Sequence, residues 1–203
     1  MIDLHSHSSA SDGILSPKES AEYAIGKKLN VWALTDHDTV DGLFEAAQTC
    51  AQSESGIIFV PGIEINIRWP TGEFHLLGLG LRRYSEELKD LVADLTESRR
   101  NRNLEIVEKM NKDGISVTLE EIESQFTASQ IGRPHFASFL MQIGKVKHRQ
   151  DAFDRFLSKG RPYHANHEGA DLDVAVEAIR SAGGVPVLAH PLSLYVSWGK
   201  MDE

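Results

Sequence analysis

The sequence predicts a mixed α/β fold whose first half begins a barrel or an open sheet and into which an all-helical segment is set. Three observations carry this reading. Short apolar runs alternate with helical ones over residues 1–84, apolar spacing turns purely helical after about Tyr84, and the alternation resumes near Leu172. IDLH reads as a short strand. SPKESAEYAIGKKL follows as a helix with Ser16 at its N-cap and Pro17 at its first helical position. VWALT is a second, buried strand, followed by a helix over about residues 41–53. IIFVPGIEINIRW forms a third extended run, and the turn signal PTG sends the chain back as EFHLLGLGL.

SEELKDLVADLTESRRNRNLEIVEKMNKDG keeps helical apolar spacing until Gly114. TLEEIES, GRPHFASFLMQIG and DAFDRFLSKG continue as three shorter helices before the loop RPYHANHEG. VAVEAIRSAG is a helix closed by Gly183, and GVPVLAHP a buried strand that ends at a histidine. The expected organisation is therefore a barrel part over 1–84, a helical insertion over 85–170, and a continued barrel part over 171–203.

A chain of 203 residues can bury a full core. Its 21 basic and 30 acidic residues give a net charge of −9, which argues against bulk electrostatic binding of long duplex DNA and leaves small anions and divalent cations as partners. The start MIDLHSHS has neither a basic nor an apolar leader region, and no apolar run approaches the roughly 18 residues of a spanning helix, so a soluble, cytoplasmic protein without membrane partners is expected. The single cysteine, Cys50, excludes a thiolate zinc site and reads as a buried thiol on a helix.

Chemistry-bearing residues recur where strands end. On an extended chain, His5 and His7 project to the same side. Asp12 follows in the next loop; Asp36, His37 and Asp38 follow the second strand in TDHD; Glu64 lies in PGIE; His190 closes VPVLAH. In a barrel of parallel strands, such ends converge on one face. His75 joins them if Asn66 pairs opposite it, which sets His75 diagonal to Glu64. Each residue singly also fits a plainer role: exposed histidines, a turn aspartate, helix caps, a surface ion pair. Packing alone does not favour their joint placement at four strand ends.

LHSHSSASDG, ALTDHD, PGIE, FHLLG and VLAHP, with GRPHFA between the last two, resemble the motifs of the PHP (polymerase and histidinol phosphatase) superfamily of metal-dependent phosphoesterases. They are similar above all to its nucleoside 3′,5′-bisphosphate phosphatases and 5′-to-3′ exoribonucleases. The resemblance implies a distorted (β/α)7 TIM-like barrel with two or three divalent ions, and the imidazole and carboxylate donors suit manganese, iron or zinc. It implies that His5 and His7 bind a first ion, that Glu64 bridges to a second completed by His75 and His190, and that Asp12 and His37 hold a third. Asp36 lies beside that third position, where a carboxylate orients a liganding imidazole. Glu64, His190 and Asp36 are the expected catalytic residues.

The superfamily's last motif, an Asp-x-His on a C-terminal strand, has no counterpart here; Asp202 in WGKMDE lacks the partner histidine. The resemblance thus implies a barrel truncated by about two strands and helices, as in a fragment or an interrupted reading frame. With the site complete, the expected reaction is phosphoester hydrolysis by a hydroxide shared between two ions, on a small nucleotide bisphosphate or the end of a short RNA. Alternatives are another phosphorylated metabolite, such as histidinol phosphate, or a catalytically silent metal-binding module. Arg133 and His135 in GRPHF are candidates to grip a phosphate, against a plain helix start there. Arg99, Arg100 and Arg102 form a basic cluster that could supplement this grip, with Arg102 counted among the substrate-binding candidates, although a solvated helix face is the expectation for most of the cluster.

Overall fold

The structure, a computed structural model, describes residues 1–69, 72–126, 128–166 and 169–191. The fold is mixed α/β. The expected turn at Pro70 and Thr71, His167 and Glu168 of the expected loop, and WGKMDE with Asp202 lie outside the described residues.

Five strands form one sheet in the order β1 (Ile2–Asp3), β2 (Val31–Leu34), β3 (Ile58–Trp69), β4 (Gly72–Leu79), β5 (Val185–Leu188). The first three are mutually parallel, while β4 runs antiparallel to both β3 and β5. Helix α1 (Pro17–Gly26) crosses between β1 and β2, and α2 (Leu43–Gln52) between β2 and β3. Ser16 caps α1 as expected. Its hydroxyl accepts from Glu19 N while the Glu19 carboxylate accepts from Ser16 N, a reciprocal pairing of two donors that a helix start otherwise leaves unsatisfied. Cys50 is buried on α2 among Ala21, Ala24, Trp32 and Leu34.

β3 sets the geometry of the molecule through the two-residue period of its side chains. Ile63, Ile65 and Ile67 point one way, fully buried against Leu88, Leu91 and Leu95 of α3 (Glu86–Lys112) and against Ala175 and Ile179 of α7 (Leu172–Ser181). Glu64 and Asn66, also buried, therefore face away from that apolar layer. A Cβ on Gly62 would stand 2.8 Å from Thr35 Cγ2 and 3.0 Å from the Gly78 carbonyl, so β3 needs a bare α-carbon where it is closest to its neighbours.

Between β4 and α7 lie α3, α4 (Leu119–Glu123), α5 (Arg133–Gln142) and α6 (Arg149–Ala152). DAFDRFLSKG, expected as one helix, is divided: α6 runs into a π turn over Phe153–Leu157. A second core, built from Ile106, Met110, Phe136, Leu140, Leu157 and Tyr163, holds these helices together. No helix among the described residues is long and apolar enough to cross a membrane.

β5 departs from expectation. It reads as a buried strand, yet Val185 is 62% exposed and Val187 and Leu188 are also exposed. Among the described residues β5 pairs only with β4, and an edge strand with one neighbour leaves apolar side chains uncovered.

Candidate metal centre

The segment after β1 is fastened from beneath. Ser6 points away from the site, its hydroxyl donating to Ala33 O at 2.6 Å and accepting from Trp32 Nε1 at 2.8 Å. By the same alternation, His5 and His7 point into the site. The chain then coils tightly, with Ser11 N and Gly13 N both donating to Ser8 O, and this brings Asp12 to the site. Any Cβ on Gly13 would collide with the His7 backbone, so glycine is required for the coil. Asp36 anchors the arrangement: it accepts from Ser8 N at 2.7 Å and from the hydroxyls of Ser8 and Ser11 at 2.6 Å each. Burial pushes its carboxyl up, while these hydrogen bonds and the neighbouring His7 oppose the shift. Asp36 belongs to none of the side-chain groups able to share an ion. Its two oxygens are engaged with the loop that carries His7 and Asp12, the place beside the third expected position.

TDHD continues the β2–β3 ladder past the end of β2. Glu64 N donates to Asp36 O at 3.1 Å and Asp38 N to Glu64 O at 2.9 Å, so the backbone of Glu64 is stitched on both sides and His37 lies directly opposite it. Asp38 takes a left-handed backbone (φ 53°), is fully buried, accepts from Asn66 N at 3.0 Å and pairs closely with Arg99 of α3.

Around Glu64 the imidazoles divide between its two oxygens. Oε2 meets His5 Nε2 and His7 Nε2 at 3.0 Å each and His37 Nδ1 at 3.3 Å; Oε1 meets His75 Nδ1 and His190 Nε2 at 3.0 Å each. His75 arrives by the expected register, Asn66 opposite His75. His75 Nδ1 and His190 Nε2 are themselves 3.1 Å apart, and Asp12 stands 3.7 Å from His7 Nδ1 and 3.8 Å from His37 Nε2. Three overlapping groups bring their ligand atoms within 4.8 Å of one another, close enough to share an ion: His5, His7 and Glu64; His7, Asp12 and His37; His37, Glu64 and His75.

The donors fit divalent cations. Atoms about 2.1 Å from a common ion and at right angles around it lie about 3.0 Å apart, the spacing seen here. Burial leads the shift of the His37 imidazole, lowered to about 4, so at neutral pH it offers a lone pair and carries no charge. Burial raises the Glu64 carboxyl but is outweighed by hydrogen bonds from His5, His7 and His75 and by the nearby His37, which hold it far below the usual carboxylate range. Burial also opposes protonation of His7, yet its hydrogen bond to Glu64 and the charges of Glu64, Asp12 and Asp36 raise it overall. His7 Nδ1 is buried without a hydrogen-bond partner, an unsatisfied group beside Asp12. All seven expected ligands, His5, His7, Asp12, His37, Glu64, His75 and His190, are thus gathered into one cluster.

The three expected phosphate-gripping residues are divided. Arg102 and Arg133 line a cavity of ≈180 Å³ with Arg99, Asn66, Phe153, His37, His75 and Asp12. His135 lines a neighbouring cavity of ≈280 Å³ on the far side of Asp12 and Pro134. Its Nδ1 accepts from Gly132 N at 2.9 Å and its ring meets Phe126 edge-on, so part of its hydrogen-bonding capacity is already used in holding the start of α5. The solvated face expected for the arginine cluster holds only for Arg100. Arg99 and Arg102 are buried, because α3 passes between the two apolar cores at this point; Arg102 bonds the Asn103 side chain and Ile131 O. Asn66 and Phe153 are additions that the sequence did not single out as cavity-lining groups. The alternation of IEINI could have found Asn66; nothing local could have found Phe153.

The PHP-domain family model matches residues 3–155. A 5′-3′ exoribonuclease of Haemophilus influenzae is 38% identical over 190 residues, 94% of this chain and 68% of that protein. A 3′,5′-nucleoside bisphosphate phosphatase of Chromobacterium violaceum is 35% identical over 191 residues, 94% of this chain and 66% of that protein. This chain therefore spans about two thirds of the length of these relatives. A Chromobacterium violaceum amidohydrolase, crystallised with sulfate and no metal, superposes with a TM-score of 0.90 at 33% identity over 99% of this chain and 70% of that one. With its imidazoles and carboxylates drawn to one end of the sheet, the chain belongs to the PHP-domain family and is by kind a metal-dependent phosphoester hydrolase.

Proposed function

We propose that the protein removes a phosphate from a nucleoside 3′,5′-bisphosphate or cleaves the phosphorylated end of a short RNA in the cytoplasm. The observation that carries this reading is the division of five imidazoles between the two oxygens of Glu64. A carboxylate so placed would hold cations together with these imidazoles. On this reading the sheet is part of a distorted (β/α)7 barrel, residues 85–170 are an insertion into it, and His5, His7, Asp12, His37, Glu64, His75 and His190 would hold two or three Mn²⁺, Fe²⁺ or Zn²⁺ ions.

When bound, such ions polarise the phosphoryl oxygens and lower the pKa of an attacking water. The side chains have separate tasks. Glu64 stays ionised within its ring of imidazoles, and His37 stays neutral and able to coordinate. Asp36 locks Ser8 and Ser11, and with them the approach of His7 and Asp12. Arg133 and Arg102 orient the substrate from the insertion side, where a guanidinium can bond two phosphate oxygens, and His135 bounds the neighbouring space.

The test is hydrolysis by the Mn²⁺-loaded chain, read as phosphate release from adenosine 3′,5′-bisphosphate and from histidinol phosphate and as mononucleotide release from a 5′-phosphorylated oligoribonucleotide, with metal content measured alongside. Turnover of the bisphosphate or the oligoribonucleotide in preference to histidinol phosphate is expected. Preference for histidinol phosphate, or no release with at least two ions bound per chain, overturns the proposal.

A further inference from the structure

The apolar spacing of α3 breaks at one point on its inner face. Leu88, Leu91 and Leu95 bury that face against the sheet, and the next position in the series, one turn on, is Arg99, only 8% exposed. Its guanidinium meets the carboxylate of Asp38, which is fully buried. Exchanging a buried ion pair for packed apolar side chains is commonly neutral or stabilising, so stability alone is a weak reason for this pair. What Asp38 holds is the strand pairing at the imidazole cluster. Its N–H donates to Glu64 O at 2.9 Å and its Oδ1 accepts from Asn66 N at 3.0 Å, so one residue grips β3 on both sides of Ile65. It does so with φ at 53°, a left-handed conformation that a non-glycine residue keeps only where its surroundings impose it. Arg99 engages the other oxygen, Oδ2.

His37 directly precedes Asp38. It sits opposite Glu64, with Nδ1 3.3 Å from Glu64 Oε2 and Nε2 3.8 Å from Asp12. A shift in the backbone of Asp38 therefore moves the His37 ring relative to both carboxylates, while Asp38 itself belongs to none of the groups close enough to share an ion. We infer that Arg99 and Asp38 are a positioning pair for the metal centre: Arg99 fixes the Asp38 carboxylate, Asp38 fixes the turn that presents His37, and the seating of α3 thereby sets ion affinity at His7, Asp12 and His37. The inference deepens the proposed function and rests on its assignment of His37 as a ligand. In this role both residues act through His37.

The experiment titrates the full chain with Mn²⁺ by calorimetry, with stoichiometry from elemental analysis, for the wild type, Arg99→Met, Arg99→Lys and Asp38→Asn. Arg99→Met and Asp38→Asn are then repeated in a His37→Ala background. Asparagine tolerates the left-handed backbone and keeps an acceptor for Asn66 N, so Asp38→Asn carries the test should Arg99→Met fail to fold. Either substitution is expected to weaken the Mn²⁺ that needs His37 by about 10- to 100-fold, the usual cost of losing a partner that orients a liganding imidazole, with circular dichroism unchanged. Arg99→Lys, which returns one charged donor to Asp38, should recover part of the loss. With His37 absent, the same substitutions should change affinity by about twofold or less, the scatter of independent sites. Unchanged Mn²⁺ affinity in both variants, or an equal loss with and without His37, overturns the inference. A loss seen only where His37 is present, in a chain that releases no phosphate, supports the pair and counts only against the proposed hydrolysis. A wild type that binds no Mn²⁺ overturns both.

Discussion

Glu64 is a buried acid whose charge is met by hydrogen bonds from His5, His7 and His75 and by the nearby His37, with no lysine or arginine among its ion-pair partners in the described residues. Replacing it by alanine removes the carboxylate common to both oxygen clusters. Glu64→Ala is expected to lose bound metal and to lower phosphatase activity by more than about 100-fold, beyond what a supporting residue costs. Elemental analysis beside a turnover assay checks this, and near-normal metal content would contradict it. Asp36→Asn should act more mildly, because an amide can keep some of the bonds to Ser8 and Ser11; a loss of about 10- to 100-fold in metal affinity with unchanged circular dichroism is the expected result. Much of this was legible in the sequence. The same-side placement of His5 and His7 follows from the period of an extended chain, and the register of Asn66 with His75 follows from the turn signal and the apolar alternation around it. The burial of Arg99 and Arg102 was not legible, since a run of arginines and asparagines on a helix reads as solvated, and only Asp38 paired with Arg99 and the Ile131 carbonyl bonded to Arg102 reverse that.

Helix α3 works as a strut between two cores. Leu88, Leu91 and Leu95 join the core against the sheet, Ile106, Val107 and Met110 join the helical core, and the buried polar stretch of Arg99, Arg102 and Asn103 lies between them. Its C-terminal end is tied by Asp113, which accepts from the Tyr163 hydroxyl and pairs with Lys145 at 3.0 Å. Burial, then the hydrogen bond to Asp113 and its charge, push the Tyr163 hydroxyl above its ordinary value near 10. A group raised in this way stabilises the fold fully below that unfolded value and loses its contribution as pH rises through the folded one. The helical part should therefore weaken above about pH 10, and Tyr163→Phe should cost about 1 kcal/mol at neutral pH, readable by urea denaturation. The cap at Ser16 follows from local chemistry and was legible in SPKE, and the structure adds side-chain caps of the same kind at Ser85 and Thr118. The exposure of β5 does not, because VPVL reads as a buried strand and burial depends on which neighbours cover it.

At the scale of the molecule, the imidazole cluster is built from β1, β2, β3, β4 and β5 together, so cations that bind it stabilise the folded sheet as a whole. Chelation should lower the melting temperature by roughly 5–10 °C, given about 2.7 kcal/mol of linkage at a hundredfold excess over Kd and 2–4 °C per kcal/mol for a chain of this size. An unchanged melting curve after complete metal removal would contradict this. The ladder that joins Leu79 to Val185 also has a kinetic meaning. Local helices and the β3–β4 hairpin close short loops, whereas pairing β5 with β4 must bring together ends separated by the entire helical excursion, an entropic cost met late on the way to the native state. His190 travels with that final strand. During refolding the hairpin and helices should therefore gain amide protection first, and the nascent chain should hold a partial set of donors until this last closure brings the fifth imidazole to Glu64.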